Sequence, residues 1–244
     1  MTKIVAIENL NYSYQKEHQI LENINLDIGA NEVFVLLGHN GAGKTTLLRL
    51  MLNFIKNYDG RIALFEKSPE DPASRSRVGF MSEQPVIYDY EDAEGYLRYF
   101  AQLAGVSASA EKIEELLQLT GLVQHRHKKL SQYSKGMLQR LNLCRSLLND
   151  PSLLIMDEPI IGLDPLGQEL IERVVRIRKE QGHSVFINTH SISFAAKVAD
   201  RVGFLMGGHL KHVFPRSEFS GTAEILEKAF LEYSADLSLE DKAR

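Results

Sequence analysis

The chain has very little cysteine and no long apolar run. Cys144 is the only cysteine among 244 residues. This excludes a disulfide within the chain and any multi-cysteine metal site, and it fits a reducing cytoplasm. No apolar stretch approaches the roughly 18 residues of a membrane-spanning helix, and the opening MTKIVAIENLNYSY lacks a basic segment followed by an apolar core. The expectation is a chain that neither enters nor crosses a membrane unaided. Excess positive charge is missing too: the formal net charge is -4, which argues against a polyanionic partner such as nucleic acid. Internal repeats and low-complexity segments are absent.

What is present is the ordinary apolar and charged content of a globular protein, at a length suited to one α/β core with a smaller inserted subdomain. Short apolar runs alternate with polar turns at Ile4–Ile7, Ile24–Ile28 and Val33–Leu37. These read as strands, and the last is continuous enough for a sheet covered on both faces. Thr45–Phe54 is leucine-rich and helix-prone, ending near the turn cluster Asn57-Tyr58-Asp59-Gly60. From Pro85 to Asn149 helical patterns dominate. Strand signals return at Leu153–Met156 and Ser184–Asn188, flanking a helix over about Leu166–Gln181. Strand, helix, strand implies a parallel sheet. The tail from Ser220 is helical and charge-rich, and reads as a solvated terminal helix.

Gly38-His39-Asn40-Gly41-Ala42-Gly43-Lys44-Thr45 lies between a predicted strand and a predicted helix. In that context the spacing is a nucleotide phosphate loop. Its glycines let backbone N–H groups turn onto phosphates, Lys44 reaches the β and γ phosphates, and the Thr45 hydroxyl can take a place on Mg²⁺. His39 reads as a tolerated loop residue. Asp157 and Glu158 end an apolar strand, where open parallel sheets bind ligands; Asp157 suits a Mg²⁺ water shell and Glu158 the polarisation of an attacking water. Ser134 in LSQYSKGMLQR is a natural N-cap, because apolar residues at 137, 141, 144 and 148 mark one face of a helix that stops by Asn149-Asp150-Pro151. Gly136 leaves its backbone open to an anion. On local grounds this second anion site and a plain capped helix are both open.

The phosphate loop, Gln84, Tyr133-Ser134-Lys135-Gly136-Met137, Asp157-Glu158, Gly162-Leu163-Asp164 and Asn188-Thr189-His190 occur in this order. Together they resemble the ATPase subunit of an ATP-binding cassette (ABC) transporter over nearly the whole chain. The resemblance implies an α/β P-loop NTPase: a RecA-like core with a mainly parallel sheet, an N-terminal antiparallel β region and an inserted helical subdomain. Residues 1–84 and 151–219 would form the core, 85–150 the helical subdomain and 220–244 a tail. It implies ATP and Mg²⁺ as ligands, with Gly38, Asn40, Gly41, Ala42, Gly43, Lys44, Thr45 and Thr46 around the phosphates. Thr45, Gln84 and Asp157 would attend the metal. Glu158, His190 and Gln84 would serve hydrolysis. Tyr14 would stack on adenine, with Tyr12 as the fallback. Two copies would sandwich two ATP head to tail, Ser134 and Gly136 reaching the γ-phosphate held by the partner's Lys44 and Asp164 meeting the partner's phosphate loop.

The same resemblance makes Pro85–Tyr90 the surface that receives an integral membrane permease, the sole membrane contact, at the cytoplasmic face. Tyr-Ser-Lys-Gly-Met departs from the commoner Leu-Ser-Gly-Gly-Gln and resembles the form in small exporter ATPases with a separate permease. Met137 cannot close a capping box with Ser134 as glutamine could, and Lys135 adds charge beside the expected phosphate. Ile160-Ile161 and Ala195-Ala196 depart from the family's usual residues without removing a ligand, so hydrolysis is expected. The alternative is the same engine regulating a membrane partner without transporting a solute. A soluble cassette acting on ribosomes or DNA is disfavoured, since neither a second cassette nor a long coiled coil is visible. The cargo would be chosen by the membrane subunit.

Overall fold

The computed structural model describes residues 2–15, 18–87, 91–107, 109–220 and 222–240, with side chains up to 235 in the last segment. Contacts divide the chain into two compact units, Met1–Arg75 with Ser184–Arg244, and Ser76–His183.

The first unit opens with β1 (Lys3–Gln15), β2 (His18–Gly29) and β3 (Val33–Leu37), followed by α1 (Lys44–Met51), β4 (Asp59–Leu64) and the single turn α2 (Pro72–Arg75). β1 pairs antiparallel with both β2 and β4. The long β1–β2 ribbon is bulged, and asparagines fill the bulges. Asn9 and Asn23 take left-handed φ of 49° and 48°, which asparagine tolerates better than most residues. The amide of Asn9 donates to Asn25 Oδ1 and that of Asn23 to Asn11 Oδ1, each at 2.9 Å.

The second unit contains β5 (Val78–Met81), α3 (Ala93–Leu103), α4 (Ala110–Leu119), α5 (Lys135–Ser146), β6 (Leu153–Asp157) and α6 (Pro165–Glu180). β5 and β6 are parallel neighbours. Each helix starts where the chain supplies an oxygen for an unpaired N–H: Asp92, Ser109, Ser134 and Asp164 cap α3, α4, α5 and α6. Arg126 binds both Glu94 and Glu114, tying α3 to α4.

The chain then returns to the first unit with β7 (Ser184–Thr189), α7 (Ile192–Val198), β8 (Arg201–Met206), β9 (His209–Pro215), the turn α8 (Arg216–Phe219) and α9 (Glu224–Glu240). β3 lies parallel to both β7 and β8, and β9 closes antiparallel on β8. Phe34 and Phe186 stack at 5.8 Å on neighbouring strands. All of β3 is buried, as its continuous apolar run predicts; β7 is buried throughout as well, its Ser184, Asn188 and Thr189 included.

The predicted elements are present, most with ends displaced by a few residues, but β1 runs on to Gln15 past the expected Ile7 and β2 begins at His18, well before the expected Ile24. The Asn57–Gly60 turn runs straight into β4, and β8 and β9 carry no counterpart in the sequence reading. The tail differs more. α9 is not simply solvated: Leu226 and Ala229 are buried, and Phe230 and Tyr233 pack their rings on Phe204 of β8. Charge-rich spacing hid this apolar stripe. Residues 221 and 241–244 of the expected tail, and 88–90 of the expected permease surface, lie outside the described residues.

Candidate functional site

In the first unit the glycine loop leaves the buried end of β3 and enters α1. Gly38 has no room for a Cβ, which would collide with the Leu205 carbonyl. Gly43 holds φ 102° as the residue before α1, and a Cβ there would stand 2.8 Å from Leu21 Cδ2. Space demands glycine at both positions, and at Gly43 the left-handed backbone demands it as well. Lys44 is buried, 7% exposed, and its Nζ donates to the carbonyls of Gly38 at 2.6 Å and His39 at 3.1 Å. The loop therefore holds its own cation inward, beside the start of a helix whose first turn has no acidic residue. Helix dipole and ammonium add at one place, which suits a polyanion. His39 Nδ1 pairs with the Asn40 carbonyl at 2.7 Å, so it braces the loop.

Leu37 pairs with Thr189, so Gly38 and His190 leave adjacent parallel strands at the same end. His190 is exposed there, just before the Ser191 cap of α7. Tyr14 is 53% exposed and its hydroxyl lies 3.4 Å from Thr46 Oγ1. Tyr12, 9% exposed, meets it edge-on at 5.0 Å. Of the two tyrosines, Tyr14 is the exposed one, beside the loop helix.

In the second unit Asp157 ends β6 and Glu158 follows it, 6% and 7% exposed. Glu158 takes a left-handed φ of 47°, a conformation that costs a non-glycine residue about 1–3 kcal/mol. Asp164 Oδ1 accepts from Gly167 N at 2.8 Å, so it caps α6. Ser134 Oγ accepts from Met137 N at 3.3 Å, as the sequence predicts. A Cβ on Gly136 would meet only Leu163 Cδ2, at 3.8 Å; nothing in this unit requires glycine at that exposed helix start. Lys135 lies over Gly162, where a Cβ would stand 2.9 Å from its Cε. Gln84 is exposed three residues beyond β5.

Each unit thus gathers part of the expected set: Tyr14, Thr46, the glycine loop and His190 in one, and Gln84, Ser134, Gly136, Asp157, Glu158 and Asp164 in the other. Sequence reasoning missed buried Asn142 and half-buried Ser82, hydrogen-bonded partners between α5 and the Gln84 loop. The signal for Asn142 was present as a polar residue among the apolar positions of α5. Among the described residues no group of three or more His, Cys, Asp or Glu could hold a metal. The donors Thr45, Gln84 and Asp157 are all hard oxygens, a set that fits Mg²⁺ shared with phosphates better than a protein-only cage.

A family model described as ABC transporter matches residues 21–161. A lantibiotic transport ATP-binding protein of Streptococcus pyogenes is 34% identical over 93% of this chain and 96% of its own. A bacitracin transport ATP-binding protein of Enterococcus faecalis is 35% identical over 86% of this chain and 68% of its own. An ABC transporter ATP-binding protein of Nostoc is 40% identical over 78% of this chain, which spans 58% of that relative's length. A solved ATP-binding subunit of an ABC transporter superimposes with TM-score 0.83 at 25% identity, covering 95% of this chain and 99% of its own. A subunit of a Clostridium perfringens ABC transporter complex gives 0.78 at 26% identity, over 99% and 100%. With a phosphate loop on a mostly parallel sheet and an antiparallel sheet at its N-terminus, the chain is a P-loop NTPase that belongs to the ABC transporter family.

Proposed function

We infer that this chain is the ATP-hydrolysing subunit of an exporter, working as a head-to-tail pair of identical copies that drives a separate membrane permease. The observation that carries the reading is Lys44, buried and held over the carbonyls of a glycine loop at a helix start. Relatives named for lantibiotic, bacitracin and fluoroquinolone transport or export support the exporter branch. Among the described residues no helix is long and apolar enough to cross a membrane.

In this mechanism the loop amides of residues 40–46 and Lys44 bind the β and γ phosphates, and Tyr14 stacks on adenine. Thr45, Gln84 and Asp157 would hold Mg²⁺, which when bound neutralises charge developing on the transferred phosphoryl. Glu158 accepts the proton of the attacking water, and His190 orients Glu158 and contacts the γ-phosphate. Ser134 and the backbone of Gly136 from the second copy donate to that same phosphate, while Asp164 meets the partner's phosphate loop. The freedom of Gly136 from any packing demand supports this use of its backbone. Attack of the water breaks the bond between the β and γ phosphates to give ADP and phosphate; release of the products removes the contact that joins the two copies, and reopening moves the permease through the surface beginning at Pro85. The cytoplasmic face of the membrane follows as its location.

Replacing Glu158 with Gln tests the reading. Turnover should fall by at least ~100-fold, the usual contribution of a positioned base. ATP binding should persist, and an ATP-dependent dimer should accumulate on size exclusion. A variant hydrolysing ATP at the parent rate overturns the assignment.

A further inference from the structure

α5 lies directly on β5: a Cβ on Gly79 would collide with the Ser146 carbonyl. The ladder between β5 and β6 ends with Met81 opposite Met156, and at the next residue the helix takes over from the sheet. Asn142 is fully buried. Its Nδ2 donates to the Ser82 carbonyl at 2.7 Å, and its Oδ1 accepts from Arg145 Nη2 at 2.9 Å. The same Arg145 nitrogen donates to the Phe80 carbonyl at 3.2 Å, and the guanidinium lies 5.2 Å from the centre of the Phe100 ring. Ser82 continues the chain of contacts, its hydroxyl donating to the Gln84 carbonyl at 2.9 Å. A buried carboxamide with both ends used fixes its neighbours, because leaving either end unpaired is costly.

The geometry points to Asn142 as a positioning residue that, through Ser82, sets the backbone presenting Gln84 and locks it to the helix that starts at Ser134. The inference rests on the proposed role of Gln84 at the metal. It makes one rigid piece of two contacts that act on different ATP molecules: the anion contact at the α5 start and the metal contact at Gln84. A change at one is then carried to the other along α5.

The test uses Asn142→Asp and Ser82→Ala, each in full-length Glu158→Gln protein so that nothing is hydrolysed. Asn142→Asp keeps shape and the acceptor for Arg145 but turns an oxygen toward the Ser82 carbonyl. Ser82→Ala keeps that carbonyl and removes the tie to Gln84. Binding of a fluorescent methylanthraniloyl-ATP is titrated with Mg²⁺, and amide hydrogen exchange is followed over residues 82–87. Both variants should need about tenfold more Mg²⁺ for half-saturation, the usual scale for residues that orient a metal ligand. They should exchange faster over 82–87 and bind the nucleotide without Mg²⁺ as the parent does. Parent-like Mg²⁺ dependence in both overturns the inference. If Asn142→Asp does not fold, Ser82→Ala on the half-exposed loop decides alone. Gln84→Ala separates the two levels: if it raises the Mg²⁺ requirement while the other variants do not, only the inference fails. If Gln84→Ala is silent as well, the metal role of Gln84 fails and the inference with it.

Discussion

Cys144 shows how completely burial controls one residue's chemistry. It is fully buried in α5, its sulfur 3.1 Å from Thr120 Oγ1, and burial pushes its thiol up to about 12. Tyr133, whose O–H donates to the His125 carbonyl at 2.7 Å, is likewise pushed up to about 12, by burial first and then by Asp92. Both groups keep their protons in the folded chain above the pH at which the unfolded chain loses them. The unfolded state then binds fewer protons, so stability is fully present below about pH 9 and declines as pH rises toward 12. Urea midpoints measured from pH 8 to 10.5 should fall, and the fall should be shallower in Cys144→Ala. Native protein should also resist thiol reagents at pH 8, where only ~0.01% of such a group is thiolate, and react once unfolded.

Among the elements, α5 joins a proposed phosphate contact at its start to a buried polar face farther along. Its cap at Ser134 was legible from the sequence, because a serine followed by an apolar stripe leaves an N–H that only such an oxygen can satisfy. Its inner face was not. Leu141 and Cys144 are buried as the spacing predicts, but so are Gln139 and Asn142, and hydrophobic periodicity is blind to a polar group such as Asn142, whose partner lies on another element. β8 and β9 went unread for different reasons: β8 carries the apolar run Val202-Gly203-Phe204-Leu205-Met206, a signal that the residues do offer, whereas β9 has no buried residue and is recruited by pairing with β8. Gly136 allows a prediction that separates fold from function. Gly136→Ala should leave stability equal or raise it by up to about 1 kcal/mol, since alanine favours a helix and the added Cβ meets only Leu163 at ordinary contact distance. It should nonetheless depress ATP hydrolysis, by crowding the approach of the partner's γ-phosphate. Thermal melting with steady-state rates checks both halves; parent-like hydrolysis would remove Gly136 from the site.

For the whole molecule, the proposed site is complete only with two copies. Specific activity should therefore rise with protein concentration until dimers saturate, and Ser134→Arg should remove that rise. The arginine would stand at the exposed start of α5 while the phosphate loop of its own copy, in the other compact unit, is untouched. Sedimentation should find only monomer with ATP, in a variant that still binds ATP as the parent does. An active Ser134→Arg dimer contradicts the trans arrangement.

Sequence by itself determined the ATP-binding cassette family, the phosphate loop and the strand-end acids, because those functions require particular residue types at short fixed spacings. Glycine at 38 and 43, lysine at 44 and an acidic pair after an apolar strand can be read without knowing what surrounds them. Only the tertiary structure decided which glycines serve packing and which are free, that α9 packs on Phe204, that Tyr14 rather than Tyr12 presents its ring, and that Asn142 reaches Ser82. Those facts depend on contacts between residues far apart in the chain, and no local pattern encodes the partner that folding brings into reach.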